Sequence, residues 1–184
     1  MQKYLATTFF LATLLIPQSL QAQTHADNKN NLTIEIFEAT DQDNGSQLGT
    51  VNVEQSPYGL VFTPHIKGLT HGIHGFHVHS NADCGPKKDG DKIIPAGLAG
   101  GHLDPENTGK HSTPWDDTGH LGDLPPLYAD ADGNANLPVL APKLKNLASI
   151  KNRSLMIHIG GENYSDHPHP LGGGGARMAC GVIK

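Results

Sequence analysis

Between Leu32 and Ile183 the chain is cut into short apolar runs whose residues alternate or are β-branched, a pattern that commits it to sheet rather than helix. Leu32 to Glu38, Leu48 to Val53, Gly59 to Ile66, Ile73 to His79, Ala135 to Val139, Leu155 to Ile159 and Met178 to Ile183 have the length of strands, with turn residues between them. Helical spacing is weak, apart from a short turn expected at Ala141 to Ala148. Many short strands punctuated by Gly, Asn and Pro predict an antiparallel sandwich or barrel. No repeat or second hydrophobic unit is present, so the chain should form one domain around one core.

The N-terminus sets the compartment. Lys3 precedes an apolar run from Tyr4 to Ile16, and Pro17-Gln18-Ser19-Leu20-Gln21-Ala22 follows, giving the charge, length and small final residue of a secretory signal over residues 1–22. The run is too short to span a bilayer as a helix, and stable membrane association is not expected. A buried N-terminal helix is the alternative, disfavoured because the polar extension of residues 23–31 does not continue the period. Cleavage removes Lys3 and no acid, so the formal charge of −5 becomes more negative by one, which disfavours nucleic acid and other polyanions as partners. Cys84 and Cys180 are the only cysteines, and in an exported chain an even pair reads as one disulfide, two free buried thiols being the alternative.

From Ser80 to Pro126 the sequence turns rich in Gly, Pro and Asp and loses any apolar period. A connection this long inside a compact domain is either functional or disordered. It carries four groups able to bind metal, and the expectation is a loop ordered by metal coordination and tethered by Cys84.

The metal-binding groups occur in two sets. His77 and His79 lie two apart on an expected strand, so both point to one face, roughly 6–7 Å apart at Cα. Alone, such a pair is as readily a surface or core feature. His102, His111, His120 and Asp123 add three imidazoles and a carboxylate, the closed N3O set that tetrahedral zinc accepts. His158 sits in the apolar run Leu155-Met156-Ile157-His158-Ile159, where its ring needs a partner. It reads either as a core histidine with one hydrogen bond or, with His77, His79 and His102, as the fourth member of an all-nitrogen set suited to Cu(II).

Four motifs then carry a close resemblance to the copper–zinc superoxide dismutases, in their bacterial exported branch: Gly75-Phe76-His77-Val78-His79, Gly100-Gly101-His102-Leu103-Asp104-Pro105, Gly119-His120-Leu121-Gly122-Asp123-Leu124, and Gly172 to Ile183. The resemblance covers residues 32–184. It implies an all-β fold, an eight-stranded antiparallel Greek-key β-barrel with long metal-binding loops, and one copper and one zinc ion per subunit. It implies copper on His77, His79, His102 and His158 and zinc on His102, His111, His120 and Asp123, with His102 bridging the two ions. Asp166 matches the aspartate that hydrogen-bonds one copper-ligand and one zinc-ligand histidine, here His77 and His111; a capped surface turn is the alternative. Arg177 matches the arginine that orients the substrate, superoxide, and His102 and Arg177 are the implied catalytic residues.

The implied reaction is dismutation of superoxide to dioxygen and hydrogen peroxide in the periplasm. The bacterial branch contains homodimers as well as monomers. A metal-buffering or delivery protein of the same fold is the competing reading, which would need the ligands but not Arg177. An acidic chain repels an anionic substrate at long range, so local positive potential is required, and Lys87 and Lys88 are candidates to supply it beside Arg177. His74 matches a structural histidine of the family. His167 and His169, flanking Pro168, are expected to be exposed at the site rim.

Overall fold

A computed structural model describes residues 30–184. The expected signal at 1–22 and the extension up to residue 29 lie outside the described residues. Eleven strands form: β1 (Asn31–Ala39), β2 (Asn44–Ser56), β3 (Gly59–Ile66), β4 (Gly72–His74), β5 (Phe76–His79), β6 (Lys87–Asp89), β7 (Lys92–Ile94), β8 (Leu127–Ala129), β9 (Val139–Ala141), β10 (Arg153–His158) and β11 (Arg177–Ile183). Seven of them make one curled antiparallel sheet in the order β5-β10-β11-β1-β2-β3-β9. β4 pairs with β8, and β4 runs into β5 across Gly75 alone, so the expected single run Ile73–His79 is one barrel strand with a break. At that break Gly75 donates its N–H to Gly160 O and accepts the His158 N–H, both at 2.8 Å. Counting β4 and β5 as one strand and adding β8 to the main sheet recovers the expected eight barrel strands. The fold is that of the β-barrel anticipated from the sequence.

Alternation along the strands separates core from site. Phe76, Val78, Leu155 and Ile157 point inward with Ile34, Ile36, Val51, Val53, Leu60, Phe62 and Ile66, all of them buried. Phe62 meets Phe76 edge-to-face at 5.8 Å in that core. The two-residue period therefore turns His77 and His79 of β5, and Met156 and His158 of β10, to the opposite side of the sheet. β5 and β10 pair in the register Met156↔His77 and Ser154↔His79, which brings the three histidines onto one outer patch.

One strand falls later than expected. Ala135 makes only an isolated bridge to Ile66, and β9 begins at Val139, opposite Phe62. Pro138 has no N–H to give to a ladder, so continuous pairing starts after it. The expected turn at Ala141–Ala148 holds a turn closed by Leu144 N–H to Ala141 O and runs into a 3-10 turn, Leu147–Ser149, capped by the Asn146 side chain. The β6–β7 hairpin and β8 were not anticipated.

The Ser80–Pro126 segment is laid across the outside of β5 and knitted to it by backbone. Val78 donates to Gly122 O at 2.9 Å, and Leu103 donates to Val78 O at 2.8 Å. Isolated bridges join His77 to Asp123 and His79 to His102. The approach at Gly122 is so close that a Cβ there would lie 2.2 Å from Val78 O, which only glycine avoids. The Cys84–Cys180 disulfide ties the same segment to β11. Around it Cys84, Ala96, Ala99, Met156 and Cys180 form a second, smaller buried cluster under the loop. Thus the loop is held by a hairpin, a disulfide and sheet-like hydrogen bonds, and not by metal coordination alone.

Candidate metal centre

The outer patch of β5 and β10 and the loop laid over it bury ten polar or charged residues, eight of them histidine or aspartate of the expected site and its immediate surroundings. His77, His79, His102 and His158 each offer a ring nitrogen to one common space, and His102, His111, His120 and Asp123 offer theirs to a neighbouring one; within each set all donor atoms lie within 4.8 Å of one another. His102 belongs to both. Its ring stacks on His77 with centroids 4.0 Å apart and stands 5.3 Å from both His111 and His120.

Hydrogen bonds at the far side of each ring fix which nitrogen faces inward. His79 donates from Nδ1 to Gly100 O at 2.9 Å and His158 from Nδ1 to Gly175 O at 3.0 Å, which turns both Nε2 lone pairs toward the common space. His77 donates from Nε2 to Glu162 Oε2 at 2.8 Å, so its Nδ1 faces inward instead. These three atoms and His102 Nε2 are buried and have no hydrogen-bond partner, four of six such side-chain atoms among the described residues. A buried lone pair without a partner is costly. Four that converge are the arrangement that a cation would satisfy. Burial, reinforced by the neighbouring rings, pushes His77 and His79 well below the usual imidazole range, and burial lowers His158 to about 4. The rings are therefore neutral near pH 7, the state in which imidazole binds metal.

In the second set three ring nitrogens crowd one oxygen. Nδ1 of His102, His111 and His120 lie 2.9, 3.0 and 3.3 Å from Asp123 Oδ1. Donor atoms around a tetrahedral ion with bonds of about 2.0–2.1 Å stand about 3.3–3.4 Å apart, so the spacing is close to that of a zinc ligand shell. Asp123 Oδ2 accepts the Ser112 N–H at 2.9 Å, which fixes the carboxylate. Burial alone would raise the Asp123 carboxyl, but its three ring partners hold it well below the ordinary carboxylate range. For His111, burial opposes the charge, yet hydrogen bonds to Asp123 and Glu162 outweigh it and raise the ring to about 9.

The expected role of Asp166 falls to another residue. Glu162 accepts from His77 Nε2 through Oε2 and from His111 Nε2 through Oε1, each at 2.8 Å, and so joins the two sets from behind. Asp166 accepts only backbone N–H groups, from His111 at 3.0 Å and Leu171 at 3.1 Å. The reason lies in the path of the chain. Gly160 is pinned between Gly75 and Gly174 by backbone bonds, which folds the chain back at once after β10 and puts the next side chain, Glu162, under the loop. Asp166 is four residues further out. Gly172, at φ +74, borders the Glu162 carboxylate, and a Cβ there would lie 2.1 Å from Oε1. The sequence signal was an acid directly after the Gly160-Gly161 pair that follows His158.

Arg177 opens β11 opposite His158, half-buried. It donates from its two terminal nitrogens to Ala96 O and Gly100 O, both at 2.6 Å, and Gly100 O is the carbonyl that also receives His79. The guanidinium is thus locked at the edge of the four-histidine space. His74 is buried, with its ring nitrogens 2.7 Å from the carbonyl oxygens of His158 and Thr70, and takes no part in either set. His167 and His169 are exposed on the neighbouring loop.

A curled antiparallel barrel that carries two buried donor sets on its outer face, sharing one imidazole, is the arrangement of a protein able to hold two neighbouring metal ions. Residues 47–183 match the copper/zinc superoxide dismutase (SODC) family, and the chain belongs to that family. Its relatives include superoxide dismutase [Cu-Zn] 1 of Salmonella typhimurium, 58% identical over 156 residues, covering 85% of this chain and 88% of the relative. Among solved structures it resembles the Cu/Zn superoxide dismutase of Brucella abortus, at 54% identity and a TM-score of 0.82, covering 84% of this chain and 99% of that one. It also resembles the monomeric copper, zinc superoxide dismutase of Salmonella enterica, at 51% identity and a TM-score of 0.76, over the same shares of the two chains. The protein is an oxidoreductase with copper and zinc as its cofactors.

Proposed function

We propose that copper is held by His77, His79, His102 and His158 and zinc by His102, His111, His120 and Asp123, and that superoxide is dismuted at the copper side. The observation that carries this reading is the set of four converging, partnerless ring nitrogens beside a three-nitrogen, one-oxygen set. Copper, when bound, supplies the one-electron couple that takes an electron from one superoxide and gives it to the next, so that two superoxide ions and two protons become dioxygen and hydrogen peroxide; zinc supplies a fixed charge.

The chain's own groups do the rest. Arg177 spends two N–H groups on Ala96 O and Gly100 O and keeps others free at the rim, where a small monoanion can accept a charge-assisted bond. His102 Nε2 is the atom that takes up a proton in the first half-reaction and releases it to the reduced oxygen in the second. Burial lowers the pKa of His102 against the pull of Asp123, which favours release over retention. The remaining proton comes from solvent. Glu162 holds His77 and His111 in orientation throughout.

Residues 1–22 we assign as a secretory signal and 32–184 as the dismutase domain, with a periplasmic address supported by kinship with bacterial enzymes. A homodimer would have an apolar face available in the cross-strand pair Ile73 and Tyr128, both exposed on β4 and β8. Sedimentation at micromolar concentration distinguishes that state from a monomer.

The decisive experiment compares superoxide dismutation by mature, disulfide-bonded protein carrying copper and zinc with the same protein carrying zinc alone. Copper-dependent turnover near the diffusion limit is expected. Tight binding of both metals without turnover would transfer the chain to metal buffering. His102→Ala should uncouple the two metals, and an unchanged copper spectrum in the zinc-loaded variant would refute the shared ligand.

A further inference from the structure

Three of the four donors in the second set, His111, His120 and Asp123, lie on one stretch of loop, residues 110–123. Inside this stretch the Asp116 carboxylate gathers Ser112, Thr118 and Lys110 at 2.6–3.0 Å, so the loop is a tied unit. Leu121 packs it against the main core, and one side chain near the end of β9 hydrogen-bonds it to the barrel. Lys143 Nζ donates to His120 O at 2.6 Å and to Asp116 O at 3.2 Å. His120 O is also the acceptor for the Asp123 N–H at 3.3 Å, the bond that closes the turn between two of the donors.

Lys143 is itself anchored. It is the second residue after β9, in a turn closed by Leu144 N–H to Ala141 O, and the next carbonyl, Leu144 O, receives Leu60 N–H of β3 at 2.8 Å. The Leu144 side chain is fully buried in the main core. The ammonium is half-buried among Asp104, Asp116, Asp117 and Asp123.

We propose that Lys143 is a positioning residue for the zinc side of the centre, holding the His120 carbonyl so that the His120–Asp123 turn is set before the ion arrives. The proposal rests on the assignment of zinc to this set. Two effects oppose each other at Lys143: a positive charge beside a cation site weakens binding, and a fixed turn strengthens it. The surrounding carboxylates cancel much of the charge, and a direct bond to the backbone of a ligand residue is local, so the fixed turn dominates. Removing groups that orient metal ligands lowers affinity by about 10–100-fold.

The test is zinc affinity of the metal-free, disulfide-bonded protein, by competition with a chromophoric chelator, for wild type, Lys143→Met and Lys143→Arg. Lys143→Met should bind zinc about 10–100-fold more weakly. Lys143→Arg, which can still reach two carbonyls, should recover most of the loss. Cobalt(II) in place of zinc should show intense tetrahedral absorption bands in wild type and Lys143→Arg, and weakened, shifted bands in Lys143→Met. Copper affinity of the zinc-free variants should stay unchanged, because His77, His79 and His158 stand on β5 and β10, and His102, outside residues 110–123, is bridged to β5 through His79. Equal or tighter zinc binding by Lys143→Met overturns the proposal, as does loss of copper together with zinc, which would mean that Lys143 holds the barrel and not the turn. Wild type that binds no zinc would instead refute the assignment of the ion.

Discussion

Glu162→Gln keeps the shape of the side chain but replaces one of its two acceptor oxygens by an NH2 group facing a ring N–H. One of the two bonds to His77 and His111 must then break, and the freed ring can turn. Metal affinity should fall by about 10–100-fold, with a changed copper spectrum, by competition titration and EPR. Asp166→Asn, which loses contact only with backbone N–H groups, should stay close to wild type in both readouts. Gly172→Ala should resemble Glu162→Gln, since its Cβ would occupy the carboxylate's place and its φ of +74 strains any L side chain. The same carboxylate gives the metal-free protein a pH signature. His111 is raised to about 9 by Asp123 and Glu162, against burial. Because the folded value is above the unfolded one, near 6.5, its stabilisation is complete below that value and is lost as pH rises through about 9. On the proposed assignment zinc would take the place of the Nδ1 proton, so below pH 9 its binding should release a proton from His111 and tighten as pH rises. Calorimetry in buffers of different ionisation enthalpy measures that proton directly; no release at pH 7 would place His111 neutral before the ion binds.

At the level of elements, the Ser80–Pro126 loop is fixed by three independent devices: the disulfide, the β6–β7 hairpin and the hydrogen bonds to β5. Replacing both Cys84 and Cys180 by serine should lower unfolding stability by about 2–5 kcal/mol, with the chain-entropy model placing a loop of this size at the upper end. Urea denaturation of the metal-free protein measures it, and a loss below about 1 kcal/mol would show that the other two devices suffice. How much of this was legible in the sequence follows from the kind of signal each element carries. The barrel strands were readable because half their residues face a core, which imprints a period of two, and the same period put His77, His79 and His158 on one outer face. His102, His111, His120 and Asp123 were readable because three imidazoles and a carboxylate recur in one glycine-rich loop beside that face, making up a tetrahedral set. β8 was missed because three residues give too little period. β6 and β7 were missed because all six residues are exposed and leave no apolar alternation, although Asp89-Gly90 marked their turn. Glu162 was missed because its burial depends on the backbone pairing of Gly160 with Gly75 and Gly174, contacts remote in sequence.

For the whole molecule the governing question is how an acidic protein takes up an anion quickly. The formal charge of the full chain is −5, and a uniform distribution of it would slow encounter. The β6–β7 hairpin alters the field locally. Lys87 packs on the Gly97–Ala99 turn so closely that a Cβ at Gly97 would lie 2.4 Å from its own, and the residues flanking that turn, Ala96 and Gly100, carry the carbonyls that hold Arg177. Lys87, Lys88 and Lys92 are exposed on this hairpin, which is linked to the guanidinium through that turn. Asp89 and Asp91 share the hairpin and offset part of this charge. Neutralising Lys87 and Lys88 to glutamine should lower kcat/KM by about two- to ten-fold at low ionic strength and flatten its fall with added salt, while leaving the copper spectrum unchanged. At physiological salt, where the screening length is about 8 Å, the difference should shrink, because only charges near the substrate's final approach still act. A salt dependence that survives intact in the double variant would assign steering to Arg177 and the metal charge alone, with the hairpin serving only to brace the turn behind them.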